Sequence, residues 1–345
     1  MPTLQFQLNR QPVTIIAPDA ALLGHYAEYF RYYAVEEARA ESAAQPLTLA
    51  LRHTSVLVFP AVEQLEKLAE TGIVSLWRSL VAPVETLWLR AGDTTFEICP
   101  ATGCATGYLD AEAVGLPPIL TNTYSLFALL LLLRWRGVYH LHAAAVLTPA
   151  GQCCWLAGAQ RSGKTTLVTA LGLAGWQPLA DDSLLLEWRD GQAVWQPLRK
   201  AFHVGLDALA HWQTRCTGLM TQPRYLERHS VAALEFFRTQ TLAEQTFSTV
   251  EALLFPQVQA ARLTAGAPLA PSEALRRLAE QSTFFPLWRK HTNLQFQALS
   301  HFASNAKSFN VVAGADVLDE PERVAAKLRT LLSETSRTHS SRHLF

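Results

Sequence analysis

Apolar and polar residues alternate over positions 3–16, with a break at Asn9, Arg10 and Gln11. That two-residue period predicts a strand, a turn and a second strand through Ile16. Around residues 20–32 the spacing becomes helical and aromatic, with Tyr26, Tyr29, Phe30 and Tyr32, then Tyr33. Short strand-like runs follow at 47–51 and 55–59, and mixed strand signals recur around Trp77, 87–89 and 94–98. The first region therefore reads as α+β, with its aromatics in the core. Gly115 to Pro118 breaks the pattern, and a helix is expected from about Thr123 to Arg136, capped by Thr121 or Thr123.

Residues 137–147 and 153–157 are apolar runs flanking the turn 148–151, which predicts a hairpin. An apolar helix over 166–174 ends at Gly175. Strands are expected at 176–180 and 184–187 around a turn of Asp181, Asp182 and Ser183, with a further turn at 189–191. More strands fall at Val194–Trp195 and 250–255, and helices at about 231–238, 271–280, 291–303 and 320–334. The tail 336–345 is polar and expected to fray. The pattern places the domain junction between 112 and 138. The resulting division is 1–120 for an N-terminal α+β domain and 121–335 for a second domain. No internal repeat is visible.

Composition narrows the function classes. Of 345 residues 49% are apolar and 17% charged, a core-rich globular balance. Twenty-nine basic residues match 29 acidic ones, so no basic footprint points to nucleic acid or an anionic membrane. The run Leu126–Leu133 is too short to span a bilayer. The N-terminus lacks the basic-then-apolar layout of a signal peptide. A cytoplasmic location is the expectation. The five cysteines, Cys99, Cys104, Cys153, Cys154 and Cys216, contain no C-x-x-C pair, so reduced thiols are expected rather than a metal site or disulfide framework. Cys153 and Cys154 adjoin on one strand and should face opposite sides of the sheet.

The candidate chemistry begins at Gly158, Ala159, Gln160, Arg161, Ser162, Gly163, Lys164, Thr165 and Thr166, which fit G-x-x-x-x-G-K-[ST] at every fixed position. A buried strand before them and a helix after them are the context the motif requires. Glycines let backbone N–H groups turn toward phosphate oxygens, and a helix start adds positive dipole. Lys164 is placed to reach the β- and γ-phosphates, and Thr165 to offer its hydroxyl to Mg²⁺. An incidental glycine turn is the alternative. ATP with Mg²⁺ is the expected ligand.

Asp181 and Asp182 stand 17 and 18 residues after Lys164, room for one helix and a returning strand. One carboxylate can hold the metal and the other accept the proton of an attacking hydroxyl. The alternative is a polar turn between strands. His140 and His142 share parity on their strand, so both face one side. They can line the phosphates or serve as core histidines. Arg199, Lys200 and His203 follow as candidate phosphate clamps or solvated charges.

These residues carry a resemblance. His142, the hairpin, the Gly158–Thr165 loop and the Ala180–Asp182 doublet resemble the catalytic half of the HPr kinase/phosphorylase family, strongest over 138–188. The resemblance implies a mixed α/β fold with a phosphoenolpyruvate-carboxykinase-like core. It implies that Lys164 and Thr165 serve the phosphates and Mg²⁺, that Asp181 helps hold the metal and that Asp182 is the base toward a serine hydroxyl. It also implies that His142 lines the phosphate site. The chain departs from the family at Thr165 and Thr166, where the family has Ser-Glu, and it lacks the later Glu-x-Arg-Gly signature. That puts HPr itself in doubt as the acceptor.

The expected function is an ATP-dependent kinase acting on a hydroxyl of a peptide, protein or small molecule, with the N-terminal domain recognising the acceptor. A homo-oligomer is compatible with the resemblance, although no residue demands one. The rivals are a nucleotide-binding regulatory or scaffold protein without turnover and an ordinary P-loop ATPase. The second lacks a clear apolar strand ending in Asp-Glu.

Overall fold

The computed structural model describes residues 1–33, 45–70, 74–110, 120–198, 200, 202–212, 221–224, 228–231, 245–284 and 286–334. The chain is a mixed α/β protein that divides into two compact units, Met1–Val138 and Tyr139–Phe345.

The first unit is built on an eight-stranded sheet. Its strands are β1 (Thr3–Leu8), β2 (Gln11–Ile16), β3 (Leu47–Thr54), β4 (Leu65–Glu70), β5 (Ser75–Ser79), β6 (Leu87–Ala91), β7 (Thr94–Cys99) and β8 (Cys104–Asp110). Their spatial order is β1-β2-β3-β8-β7-β6-β5-β4. The first turn is tight because Asn9 and Arg10 both take positive φ, 49° and 63°, the twist that suits a two-residue hairpin. Helix α1 (Ala20–Tyr29) starts where the Asp19 carboxylate accepts the Leu22 N–H at 2.8 Å. Helix α2 (Leu126–Trp135) is buried nearly all round and packs on β3, β7 and β8.

Three local expectations change here. The run 55–59 is not a strand; Val56 and Leu57 are exposed, and the Val58 carbonyl accepts the Thr95 hydroxyl instead of a ladder partner. Helix α2 has no threonine cap, because residues Leu120–Ser125 wind as a π-helical turn leading into it. Its packing on the N-terminal strands moves the division of the chain from 120/121 to 138/139.

The second unit begins one residue into β9 (Val138–Leu141) and goes on through β10 (Ala143–Leu147), β11 (Cys153–Ala157), α3 (Lys164–Leu173), β12 (Gln177–Ala180), β13 (Leu184–Arg189) and β14 (Gln192–Pro197). It continues through β15 (Phe202–Gly205), α4 (Leu206–Trp212), β16 (Thr221–Arg224), β17 (Arg228–Val231), β18 (Ala252–Val258) and β19 (Ala265–Pro268). The last elements are α5 (Pro271–Glu280), α6 (Arg289–Asn305), β20 (Lys307–Ala313), α7 (Asp316–Asp319) and α8 (Pro321–Glu334). The main sheet runs β12-β10-β11-β18-β20-β19, with β11, β18 and β20 mutually parallel. The expected single strand 137–147 is two, broken at His142. Strand β9 joins β13 and β14 in a separate sheet, while β10 enters the main one. Strand β20 was not foreseen, although its residues alternate buried and half-buried. The helix expected at 231–238 lies outside the described residues, as do Cys216 and the tail.

Strands of this sheet are apolar on both sides because both faces are covered. One face carries α3, α4, α7 and α8 over Ala144, Val146, Cys154, Leu156 and Leu254. The other carries α5, α6 and the β13–β14 hairpin over Ala143, Ala145, Cys153, Trp155 and Phe255. Cys153 and Cys154 therefore do face opposite sides. Trp155 anchors the second face, edge-on to Trp195 at 5.4 Å and tilted against Phe302 at 4.7 Å.

Candidate active site

Register alone gathers the site. Ala143 at the start of β10 pairs with Ala157 at the end of β11, and Ala145 pairs with Ala180 at the end of β12. Strands β11 and β12 both run antiparallel to β10, so they end at one edge of the sheet. His142, Gly158 and Asp181 consequently leave the sheet side by side. Strand β18, parallel to β11, ends at the same edge and backs the loop. A Cβ on Gly158 would stand 2.8 Å from Ser162 Oγ and 3.5 Å from the Pro256 carbonyl. This edge, beyond the carboxyl ends of parallel strands, is where open α/β sheets hold ligands.

The loop 158–163 turns sharply. Arg161 takes φ 66° and Gly163 φ 93°, and Gly163 serves as the N-cap of α3. Only glycine adopts the second value without strain, and an added Cβ there would meet Val258 Cγ2 at 2.8 Å. Ala159, Gln160 and Arg161 form the exposed tip, and Ser162, Thr165 and Thr166 are half-buried. Lys164 is buried, and its Nζ donates to the carbonyls of Gly158 at 2.6 Å and Ala159 at 3.0 Å. The side chain thus arches over the loop that precedes it.

Asp181 is buried, and its Oδ2 accepts the His203 N–H at 3.0 Å. Its Oδ1 has no hydrogen-bond partner among the described residues. Burial and the neighbouring Asp182 charge push its carboxyl up to about 6, against the opposing pull of the Thr165 hydroxyl, the His203 N–H and Lys200. Asp182 differs. Burial would raise it, but Lys200 first, then His142 and His203, hold it well below the ordinary carboxylate range. Lys200 Nζ lies 2.5 Å from Asp182 Oδ1, and the Ser183 hydroxyl donates to the same oxygen at 2.7 Å. Two adjacent carboxylates are thereby pushed apart in acidity by their surroundings.

His142 feels the charges of both lysines and of Asp182. Burial lowers its pKa, the Asp182 carboxylate raises it, and Lys164 and Lys200 lower it again. His140 is buried behind it, its Nδ1 2.7 Å from the Thr283 hydroxyl, and burial with the nearby His142 pushes it down to about 3. Neutral imidazole is the form both present.

The structure brings together His142, Lys164, Thr165, Asp181 and Asp182, and adds Lys200, Ser183 and the His203 main chain. Arg199 lies outside the described residues. Sequence reasoning left Lys200 among three alternatives, and it passed over Ser183 and Thr283. Only the serine carries a local signal, since it follows the aspartate doublet directly. Thr283 is 143 residues from His140, and no spacing rule reaches that far.

For a metal, Asp181 Oδ1 is an unpartnered buried carboxylate oxygen beside the Thr165 hydroxyl. Both are hard oxygen donors of the kind Mg²⁺ takes together with waters and phosphate oxygens. Among the described residues, no group of three or more His, Cys, Asp or Glu side chains forms a metal cage. The donors present thus fit a shared rather than an all-protein site. No described helix is long and apolar enough to cross a membrane.

No protein-family model matches this sequence, and no curated protein matches it. Among solved structures, the HPr(Ser) kinase/phosphatase from Coxiella burnetii is similar to this chain at 12% identity and a TM-score of 0.31. The match covers 59% of this chain and 96% of that one.

Proposed function

We propose that this chain is an ATP-dependent kinase that transfers the γ-phosphoryl group to a hydroxyl, preferably a serine side chain, of a peptide, protein or small molecule. The observation that carries this reading is the pair of carboxylates with opposite electrostatics at the end of β12, set beside Lys164 and Thr165 at the start of α3. Phosphoryl transfer needs an anion to take the hydroxyl proton, cations to hold the phosphate charge, and oxygen ligands for a metal.

Asp182, kept as an anion chiefly by Lys200, is the proton acceptor in this reading. The acceptor oxygen bonds to the γ-phosphorus in line as the bond to the β-phosphate oxygen breaks. The hydroxyl proton passes to Asp182, and ADP leaves. Lys164 exchanges the carbonyls of Gly158 and Ala159 for phosphate oxygens, which also offer it full negative charge. Lys200 supplies a second cation across the acceptor position. Thr165 and Asp181 would hold Mg²⁺, which when bound neutralises phosphate charge. The neutral His142 lines the phosphates between the two lysines. The first unit, which contributes none of these residues, is assigned to acceptor recognition.

The test uses γ-labelled ATP, Mg²⁺ and serine-containing peptides, with the wild type beside Asp182→Asn. Transfer to an acceptor that drops at least about 100-fold in the variant is the expected result. Hydrolysis indifferent to both acceptor and variant would sink the base assignment. A protein that binds no ATP would remove the kinase reading altogether.

A further inference from the structure

The spacing of Cys99 and Cys104, with four residues between them, matches no metal or redox motif. The strand register nevertheless makes them direct partners. Cys99 ends β7, Cys104 begins β8, and the two are the last opposed pair before the turn Pro100–Gly103. Directly opposed residues of an antiparallel pair point to the same face, with Cα atoms about 4.5 or about 5.5 Å apart according to their hydrogen-bonding class. Both spacings fall inside the range that a disulfide spans. The neighbours confirm the face: Ile98 and Ala105 are buried on the core side, whereas Cys99 is half-buried and Cys104 exposed on the other.

We propose that Cys99 and Cys104 are a thiol modification site, closing reversibly into a disulfide by exchange with a low-molecular-weight disulfide such as oxidised glutathione. The inference is independent of the kinase reading, since both residues belong to the first unit.

The chemistry has an order. Cys104 is exposed, and its Sγ donates to the Thr102 carbonyl at 3.5 Å. Cys99 sits against the buried Thr86 hydroxyl at 3.8 Å, and burial raises its thiol pKa above the ordinary value. Cys104 therefore reacts first. It gives up its proton and attacks one sulfur of the small disulfide, whose S–S bond breaks to release one thiol. Cys99 then loses its proton and attacks the Cys104 sulfur of the mixed disulfide, releasing the second small thiol. Two protein thiols are oxidised, one small disulfide is reduced, and each departing thiolate takes up one proton. Cys153 and Cys154 take no part, because both are buried and face opposite sides of their sheet.

The full-length protein is equilibrated in glutathione buffers of rising oxidised fraction, quenched with acid, alkylated and digested with trypsin. Both cysteines fall on the peptide 91–134. The expected result is a peptide that loses two hydrogens and resists alkylation at both positions, and that reverts with dithiothreitol. In Cys99→Ser the reaction should stop with one glutathione on Cys104. A wild-type peptide that remains alkylatable at both cysteines overturns the proposal. So does one that halts at the Cys104 adduct as the variant does.

Discussion

Lys200 Nζ stands 2.5 Å from Asp182 Oδ1, with 8% of the lysine side chain and 24% of the aspartate side chain exposed. The pair is partly desolvated, so each charge depends on the other. Lys200→Met should leave Asp182 uncompensated and cost about 2 kcal/mol of stability. Adding Asp182→Asn to it should restore most of that loss. Urea denaturation of the two singles and the double closes the cycle; fully additive effects would show that the ion pair carries no coupling.

The turn into α3 depends on a residue without a side chain. Gly163→Ala adds a Cβ at φ 93° facing Val258 Cγ2 at 2.8 Å. The expected cost is about 1–2 kcal/mol of backbone strain, together with weakened nucleotide binding. Thermal denaturation and a fluorescent-ATP titration read the two effects. Comparison with Gly163→Ala/Val258→Ala separates the φ strain from the Val258 contact, because the second change removes the contact and leaves the strain.

Lys164 reaches two loop carbonyls and, in the proposed function, phosphate. Lys164→Met should lower ATP affinity at least about 10-fold, the effect of one charge-assisted contact. Calorimetric titration measures it. Unchanged affinity would detach Lys164 from the phosphates.

A buried histidine and its half-buried neighbour set an acid limit on the fold. His140 in the folded chain titrates at about 3, against an unperturbed value of 6.5. The unfolded chain therefore binds a proton between these values that the folded chain does not. The stability linked to His140 is complete above pH 6.5 and falls as pH drops toward 3, by up to about 1.4 kcal/mol per pH unit. His142, also lowered, contributes with the same sign. Asp181, raised to about 6, acts in the opposite sense, so the comparison is made against a variant. Urea midpoints from pH 7 to 5 should fall more steeply for wild type than for His140→Gln. Parallel slopes would refute the assignment.

Trp155 fills the second face of the main sheet with no exposed surface, and its Nε1 has no hydrogen-bond partner among the described residues. Trp155→Ala should cost about 3–5 kcal/mol through the cavity it opens. Trp155→Phe should cost far less, since it removes the unsatisfied N–H along with part of the ring. Denaturant melts of both variants decide this.

Much of the molecule was legible before folding because its signals are local. The hairpin ending in Cys153–Ala157, the loop with its left-handed Gly163, the turn at Asp181–Ser183 and the helices near 271–280 and 291–303 each follow from a few neighbouring residues. Apolar period and glycine conformation act over one or two turns of chain, and a sequence displays them directly. The break at His142 was not legible, since 137–147 is uniformly apolar enough to read as one strand. Its division depends on β9 and β10 finding different sheets.

The sequence by itself determined which groups were available: two carboxylates in tandem, one lysine after a glycine loop, a histidine ahead of it. Tertiary structure decided what those groups became. Lys200, 18 positions away, holds Asp182 as an anion, while burial and the adjacent charge raise Asp181, and neither the ion pair nor the burial exists until the chain has folded. The cysteines show the same division: composition suggested unremarkable thiols, and strand register set Cys99 opposite Cys104. Acidity and thiol pairing depend on distance and desolvation through space, quantities that residue order constrains only after the chain has folded.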